Sequence, residues 1–181
     1  MPQTTVQFRQ KTWLTEGQYA TTDYRTVEGA IAPAYNGNTG ILPFGRVSQM
    51  VPGTRQVTTL SGAPASGRLL IVPIYAERYG IELSVLHAAA APAALGYPDE
   101  PGVLVEYLTK GDIVMWSEVA VAAGDPVFAR HTAAGGNTVL GRVRNAADAS
   151  NTVAMTGWRF AQSTTAAGLV AVSINGLIKV A

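Results

Sequence analysis

The hydrophobic residues of this chain occur in short runs that alternate with polar residues, and turn-forming residues separate these runs at short intervals. Within residues 81–86, for example, Ile81, Leu83 and Val85 fall on one face of an extended strand, and polar residues fall on the other. The 3.6-residue period of an amphipathic helix is nearly missing. The sequence therefore predicts an all-β fold, as a sandwich or a barrel.

One pair of these runs predicts a hairpin. Residues 103–108 and 113–117 are joined by a short link that contains Lys110 and Gly111, and a glycine can supply the positive φ of a tight turn. The other predicted strands are residues 68–75, 126–130, 139–144, 153–160 and 169–180. An alanine-rich tract at residues 87–95 is interrupted by Pro92, so we expect a loop with one or two helical turns at most.

The length of 181 residues fits one domain, with or without an extended arm. The chain has no cysteine, which excludes disulfides and thiolate metal sites. Its first residues lack the apolar core of a signal peptide, and no uninterrupted apolar run is long enough to predict a membrane span. We therefore expect a protein that is made in a reducing cytoplasm and has no membrane partner.

The charge of the chain is low in two senses. Lysine and arginine together number 13 against 12 acidic residues, which argues against a nucleic-acid-binding protein. Charged residues make up only 14% of the chain, although 48% of it is hydrophobic. Because the cores of protein interfaces are depleted in charge, we expect partners to cover much of the surface. The alternative is a neutral, Gly/Ala-rich β domain that stands alone.

The first 28 residues differ from the rest. They are rich in Thr, Gln and Tyr, and their apolar side chains are spaced irregularly, at Phe8, Trp13, Leu14, Tyr19 and Tyr24. Such a segment suits an extended arm that becomes ordered on a neighbouring subunit and uses these side chains as anchors. The alternative is an ordinary edge strand and loop that pack on the same domain.

No catalytic or metal-binding pattern is present. The two histidines, His87 and His131, have no paired ligand at metal-binding spacing, and no nucleophile-elbow or phosphate-loop motif occurs. Asp112, Glu118 and Asp125 lie near predicted strand ends, but they do not form the alternating ligand pattern of a calcium loop. The sequence predicts a protein that is not an enzyme and has no cofactor and no metal.

Three arginines are candidates for partner binding. Arg142 and Arg144 alternate on one predicted strand, and Arg130 ends another. Arginine forms bidentate pairs with carboxylates and is enriched at protein interfaces, so these side chains could meet a partner's acidic residues. The alternative is a solvated strand face.

The order of several short motifs resembles that of a known family. The motifs are a Gly124-Asp125-Pro126 turn within residues 119–130, a Gly-Gly-Asn loop at residues 135–137, a Gly-Trp-Arg-Phe strand at residues 157–160 and a glycine-rich final strand at residues 166–176. In the turn, Asp125 can accept backbone hydrogen bonds, and Pro126 fixes φ where the next strand begins. This order resembles the cement, or decoration, proteins of tailed bacteriophage capsids.

The resemblance implies a fold and a function. The expected fold is a jelly-roll-like β-sandwich at residues 29–181 that follows an extended N-terminal arm at residues 1–28, with a β-tulip as the alternative. The expected function is to bind the outer surface of the phage head and to staple major capsid subunits together around the packaged DNA. The expected partners are the major capsid protein and a second copy of this chain, as a homodimer rather than a homotrimer. The expected location is the virion.

Two other functions remain open on the sequence alone. A carbohydrate-binding sandwich on the virion would use exposed aromatic side chains, such as Trp116 or Trp158, in a shallow groove. A hydrolase would need two facing carboxylates, for which Asp112 and Asp125 are candidates.

Overall fold

The structure is a computed structural model, and it describes residues 16–17, 26–31, 41–74, 96–98 and 104–181. These residues contain twelve β-strands and one short 3-10 turn at Ala149–Asn151, and no α-helix is found among them. The strands are β1 Thr26–Ile31, β2 Ile41–Pro43, β3 Ser48–Met50, β4 Val57–Thr59, β5 Leu69–Ile71, β6 Gly96–Pro98, β7 Leu104–Ser117, β8 Pro126–Arg130, β9 Val143–Arg144, β10 Thr152–Phe160, β11 Gly168–Asn175 and β12 Ile178–Lys179.

The largest sheet has six strands in the order β1-β7-β11-β10-β8-β9. Its last strand returns to β7, where Ser117 pairs in parallel with Val143, and the Glu118 N–H donates to the Val143 carbonyl at 2.8 Å. The sheet therefore curls until five of its strands form a closed ring, which leaves β1 outside the ring on the first half of β7.

Strand β7 runs unbroken for 14 residues, so the hairpin predicted at Lys110-Gly111 is wrong. The two halves of β7 have different neighbours: β1 pairs with residues 104–110 and β11 pairs with residues 110–117. Gly111 lies where the partners change and has a φ of 130°. Its positive φ was predicted correctly, but the residue lies inside a continuous strand instead of closing a turn.

A smaller sheet has the order β12-β5-β3-β4, and β2 pairs with β6 in a third. Strands β3 and β4 form a hairpin in which Met50 pairs with Val57, and Met50 also pairs with Leu69 of β5. The main core lies between the closed sheet and the small sheet and contains the fully buried Trp158. A second cluster, which includes Phe44 and Tyr107, lies on the opposite face of β5 and of the first half of β7.

The predicted all-β sandwich is confirmed, with the addition that one sheet closes on itself. The predicted strands at residues 126–130 and 153–160 match β8 and β10 closely, whereas residues 139–144 contribute only two residues as β9. The strand predicted at residues 81–86 and the alanine-rich tract at residues 87–95 lie outside the described residues. Within the described part of the chain, no helix is long and apolar enough to cross a membrane.

Candidate functional site

The apolar anchors predicted for the N-terminal arm, which are Phe8, Trp13, Leu14, Tyr19 and Tyr24, all lie outside the described residues. Five residues of the same segment are described, residues 16–17 and 26–28, and all of them contact the domain. The Gly17 N–H donates to the Val114 carbonyl at 2.8 Å. The boundary predicted between residues 28 and 29 falls inside β1, so residues 26–28 belong to the large sheet.

Gly17 packs directly on Gly45, and neither position has room for a side chain. A Cβ on Gly45 would lie 2.1 Å from the Gly17 nitrogen, and a Cβ on Gly17 would lie 2.6 Å from the Cβ of Phe44. Both glycines have positive φ, at 83° and 65°. The chain is therefore held against the domain at residues 16–17 by a backbone contact that only glycine permits.

An ion pair accompanies this contact. The Arg46 Nε donates to Glu16 Oε2 at 3.3 Å, and both side chains are mostly buried. Burial raises the pKa of the Glu16 carboxyl group, and the charges of Arg46 and Arg142 oppose that rise. A negative charge in the N-terminal segment is thus held between two arginines of the domain.

Arg130 is fully buried, at 0% exposure, and an internal network occupies its guanidinium. Its Nε and Nη2 donate to the two oxygens of Glu118 at 2.5 and 2.8 Å, Nη2 also donates to Asp148 Oδ2 at 2.7 Å, and Nη1 donates to the Thr132 carbonyl at 3.1 Å. The hydrogen bond with Glu118 is the main cause that raises the pKa of Arg130. Arg130 therefore holds its own domain together, and its side chain is not open to a partner.

Arg142 and Arg144 are partly buried beside this network. The Arg142 guanidinium carbon lies 4.6 Å from the centre of the Trp116 ring, and Arg144 Nη1 lies 3.1 Å from Asp148 Oδ2. Desolvation lowers the pKa of Arg142. The Nε atoms of both arginines are buried without a hydrogen-bond partner, so the structure brings all three predicted arginines into one region but leaves two of them incompletely paired.

The sequence analysis missed the acidic partners of this network, Glu118 and Asp148. Glu118 was considered only as a possible metal ligand, although its position directly after the apolar strand β7 is a signal for a buried or half-buried carboxylate. No local sequence pattern marks Asp148 as a partner of Arg130, because Asp148 lies in the loop that precedes β10 and is brought to Arg130 only by the fold.

Three of the four residues behind the two alternative functions, Trp116, Trp158 and Asp125, have internal partners. Trp158 is fully buried and its Nε1 donates to the Gly176 carbonyl at 3.0 Å, while the Arg142 guanidinium covers a face of the Trp116 ring. Asp125 Oδ2 accepts from the Ala122 N–H at 2.9 Å and from Asn145 Nδ2 at 2.8 Å.

The backbone N–H of Ala122, more than Asn145, lowers the pKa of Asp125, and the predicted role of Asp125 as an acceptor in the turn is confirmed. Among the described residues, no group of three or more His, Asp or Glu side chains could hold a metal ion.

Comparison with known proteins gives the chain its family. Residues 2–175 match the family model described as "Structural cement protein (E217 gp24/Pam3 gp6)". A solved structure, a chain from "The capsid of Myoviridae Phage XM1", superposes with a TM-score of 0.61 at 14% identity and covers 92% of this chain and 93% of its own length, which shows a shared fold. No curated protein sequence matches the chain. The family is structural and not enzymatic, and the chain belongs to it: it is a structural cement protein of the phage virion capsid.

Proposed function

We propose that this protein binds the outer surface of an assembled phage head and staples neighbouring major capsid subunits together. The observation that carries the proposal is the match to the structural cement proteins over residues 2–175. The low charge of the chain supports it, because 14% charged residues suit a surface that partners cover.

The proposed mechanism is multivalent attachment. Each copy contacts more than one capsid subunit, so weak individual contacts add through effective concentration. Bound copies stabilise the assembled shell by mass action, because they bind the assembled state and not the separated subunits. Pressure from packaged DNA is the load that this stabilisation would oppose.

The N-terminal segment and a second copy complete the proposal. We propose that the predicted arm, residues 1–28, binds a neighbouring subunit through residues 1–15, which precede the contact of Gly17 with Gly45. The protein acts as a homodimer, with a homotrimer as the alternative. Analytical ultracentrifugation of the purified protein distinguishes these two states from a monomer.

The experiment that tests the function is cosedimentation with expanded, undecorated heads of the phage that encodes this chain, followed by imaging of the complex. We expect saturable binding, density that bridges adjacent capsid subunits on the outside of the shell, and a higher temperature of shell disruption. Absence of binding, or density on the inner surface, would contradict the proposal.

A further inference from the structure

Among the described residues, one end of the small sheet carries three basic side chains and no acidic side chain. Residues 41–74, which include strands β3, β4 and β5, contain three arginines and no acidic residue, and β12 adds Lys179. Arg46 is paired with Glu16, but Arg55, Arg68 and Lys179 form no ion pair with any carboxylate in the described part of the chain. In a protein with a net charge of +1, this separation of charge is a distinct surface feature.

The strand register brings these three side chains to the same end of the sheet. Met50 of β3 pairs with both Val57 of β4 and Leu69 of β5, and Lys179 of β12 also pairs with Leu69. Arg68 immediately precedes that row, and the Val180 N–H donates to its carbonyl at 2.9 Å. The β3–β4 turn, which carries Arg55, projects past Met50 at this same end. We call Arg55, Arg68 and Lys179 the basic end.

The turn that presents Arg55 is both exposed and strained. Residues 52–56 are all exposed, and the turn is closed by a Val51 N–H bond to the Gln56 carbonyl at 2.8 Å and an Arg55 N–H bond to the Val51 carbonyl at 2.9 Å. Arg55 has a φ of 54°, where a side chain other than Gly, Asn or Asp is unfavourable. No packing compensates this cost, because the side chain is exposed. Strain kept at an exposed charged residue points to a role in binding.

We infer that the basic end is a docking surface for a carboxylate-rich patch on the capsid shell, an inference that rests on the proposed function. Arginine pairs with carboxylates in a bidentate geometry, and complementary charge steers encounter and fixes register at protein interfaces. Because the rest of the chain has 10 basic and 12 acidic residues (13 − 3 against 12), the attraction to carboxylates is local to this end and does not depend on the net charge.

A protein partner fits this surface better than a nucleic acid does. Residues 41–74 contain one aromatic side chain, Phe44, and it is buried in the second core cluster. Single-stranded nucleic acid is usually bound on exposed aromatic rings inside a basic groove, and duplex DNA usually needs a larger basic surface.

The test measures binding of the full-length protein to undecorated heads as single charges are removed. Arg55→Gln, Arg68→Gln and Lys179→Gln each remove one charge from the basic end, and Arg159→Gln removes one from the exposed face of β10 as the matched control. We expect each basic-end variant to weaken binding about threefold and the triple variant to weaken it about tenfold or more, with the difference shrinking at high salt. Arg159→Gln should stay within about twofold of the unchanged protein.

A second pair of variants separates binding from folding. Arg55→Gly and Ala149→Gly each remove a side chain at positive φ, 54° and 45° respectively, so each should raise the Tm by about 2 °C. Only Arg55→Gly should also weaken attachment to heads. A purely structural role for Arg55 predicts that both variants bind at least as well as the unchanged protein.

The outcomes keep the two proposals apart. If the unchanged protein binds heads and the basic-end variants bind equally well, the docking inference is wrong and the proposed function stands. If the unchanged protein does not bind heads at all, the proposed function itself fails. If a DNA oligonucleotide added in excess competes with heads and its own binding depends on Arg55, Arg68 and Lys179, the surface is for nucleic acid, and the inference is overturned.

Discussion

Arg130 is the residue on which we expect the stability of the domain to depend most strongly. Its side chain is 0% exposed and that of Glu118 is 2% exposed, so removal of either partner leaves a buried charge without its counterion. We expect Arg130→Met to lower the free energy of unfolding by about 3 kcal/mol, measured by denaturation followed by tryptophan fluorescence.

The matched control is the double variant Arg130→Met/Glu118→Leu, which replaces both buried charges with apolar side chains. Because no charge is then buried without a partner at this pair, the double variant should recover a large part of the lost stability. Equal destabilisation of the single and double variants would show that the pair is not the source of the effect.

Asp148 makes stability depend on acid. Its hydrogen bond with Arg130 lowers the pKa of Asp148 in the folded protein below the value of about 3.9 that an unfolded aspartate has. At a pH between these two pKa values the unfolded chain binds more protons than the folded chain. The stabilisation is therefore complete above the unfolded pKa and is lost as the pH falls through the folded pKa.

Asp148→Asn should therefore reduce stability at neutral pH but flatten the decline of the Tm between about pH 5 and pH 2. Thermal denaturation across this range measures the slope. Asp112→Asn is the comparison, since it removes a carboxyl group outside this network, and parallel curves for Asp148→Asn and the unchanged protein would contradict the assignment.

Single residues were predictable where local chemistry decides their role. Asp125 precedes a proline in a turn, and the turn itself supplies its backbone donor, Ala122. The full burial of Arg130 was not predictable. Its position in β8 puts it on the same face as Phe128, which is only half-buried, and its partners Glu118 and Asp148 come from other parts of the chain. The sequence reveals the type of such a side chain and not the partner that buries it.

At the scale of elements, the contact of residues 16–17 with the loop after β2 is specified by glycine. In Gly45→Ala, the new methyl group would overlap the Gly17 backbone and the residue would be strained at a φ of 65°, so we expect a loss of about 2–4 kcal/mol in the free energy of unfolding. Gly53→Ala also places a methyl group at positive φ, but nothing lies within 4 Å of it, so it should lose only about 1 kcal/mol. Thermal denaturation compares the two, and equal losses would mean that the close approach contributes nothing.

The strands also show the limits of the hydrophobic pattern as a predictor of secondary structure. The pattern of apolar runs between turn-forming residues located β8 and β10, although neither strand is buried in strict alternation. It failed at Gly111, since a glycine between two apolar runs is equally compatible with a turn and with a bend in one strand. The choice is made by β1 and β11, which pair with opposite halves of β7 and lie about 80 and 60 residues away along the chain.

For the whole molecule, the order of short motifs carried the family assignment, and charge counts alone concealed the basic end. The net charge of +1 is a sum over the whole chain, so it hides the local excess of positive charge in residues 41–74. That stretch contains three arginines and no acidic residue, which was visible in the sequence. What the sequence could not supply was the register that places Arg55, Arg68 and Lys179 at one end of a sheet.

Truncation at two points separates the arm from the domain. Removal of residues 1–15 leaves Glu16, Gly17 and all of β1 in place, so we expect a Tm within about 2 °C of the full chain and clearly weaker attachment to heads. Removal of residues 1–28 also takes away the Glu16–Arg46 ion pair, the Gly17–Val114 hydrogen bond and half of β1, so the domain itself should become less stable. Circular dichroism with cosedimentation measures both effects. If the shorter truncation decorates heads as well as the full chain, residues 1–15 make no contribution to attachment, and binding belongs to the domain surface alone.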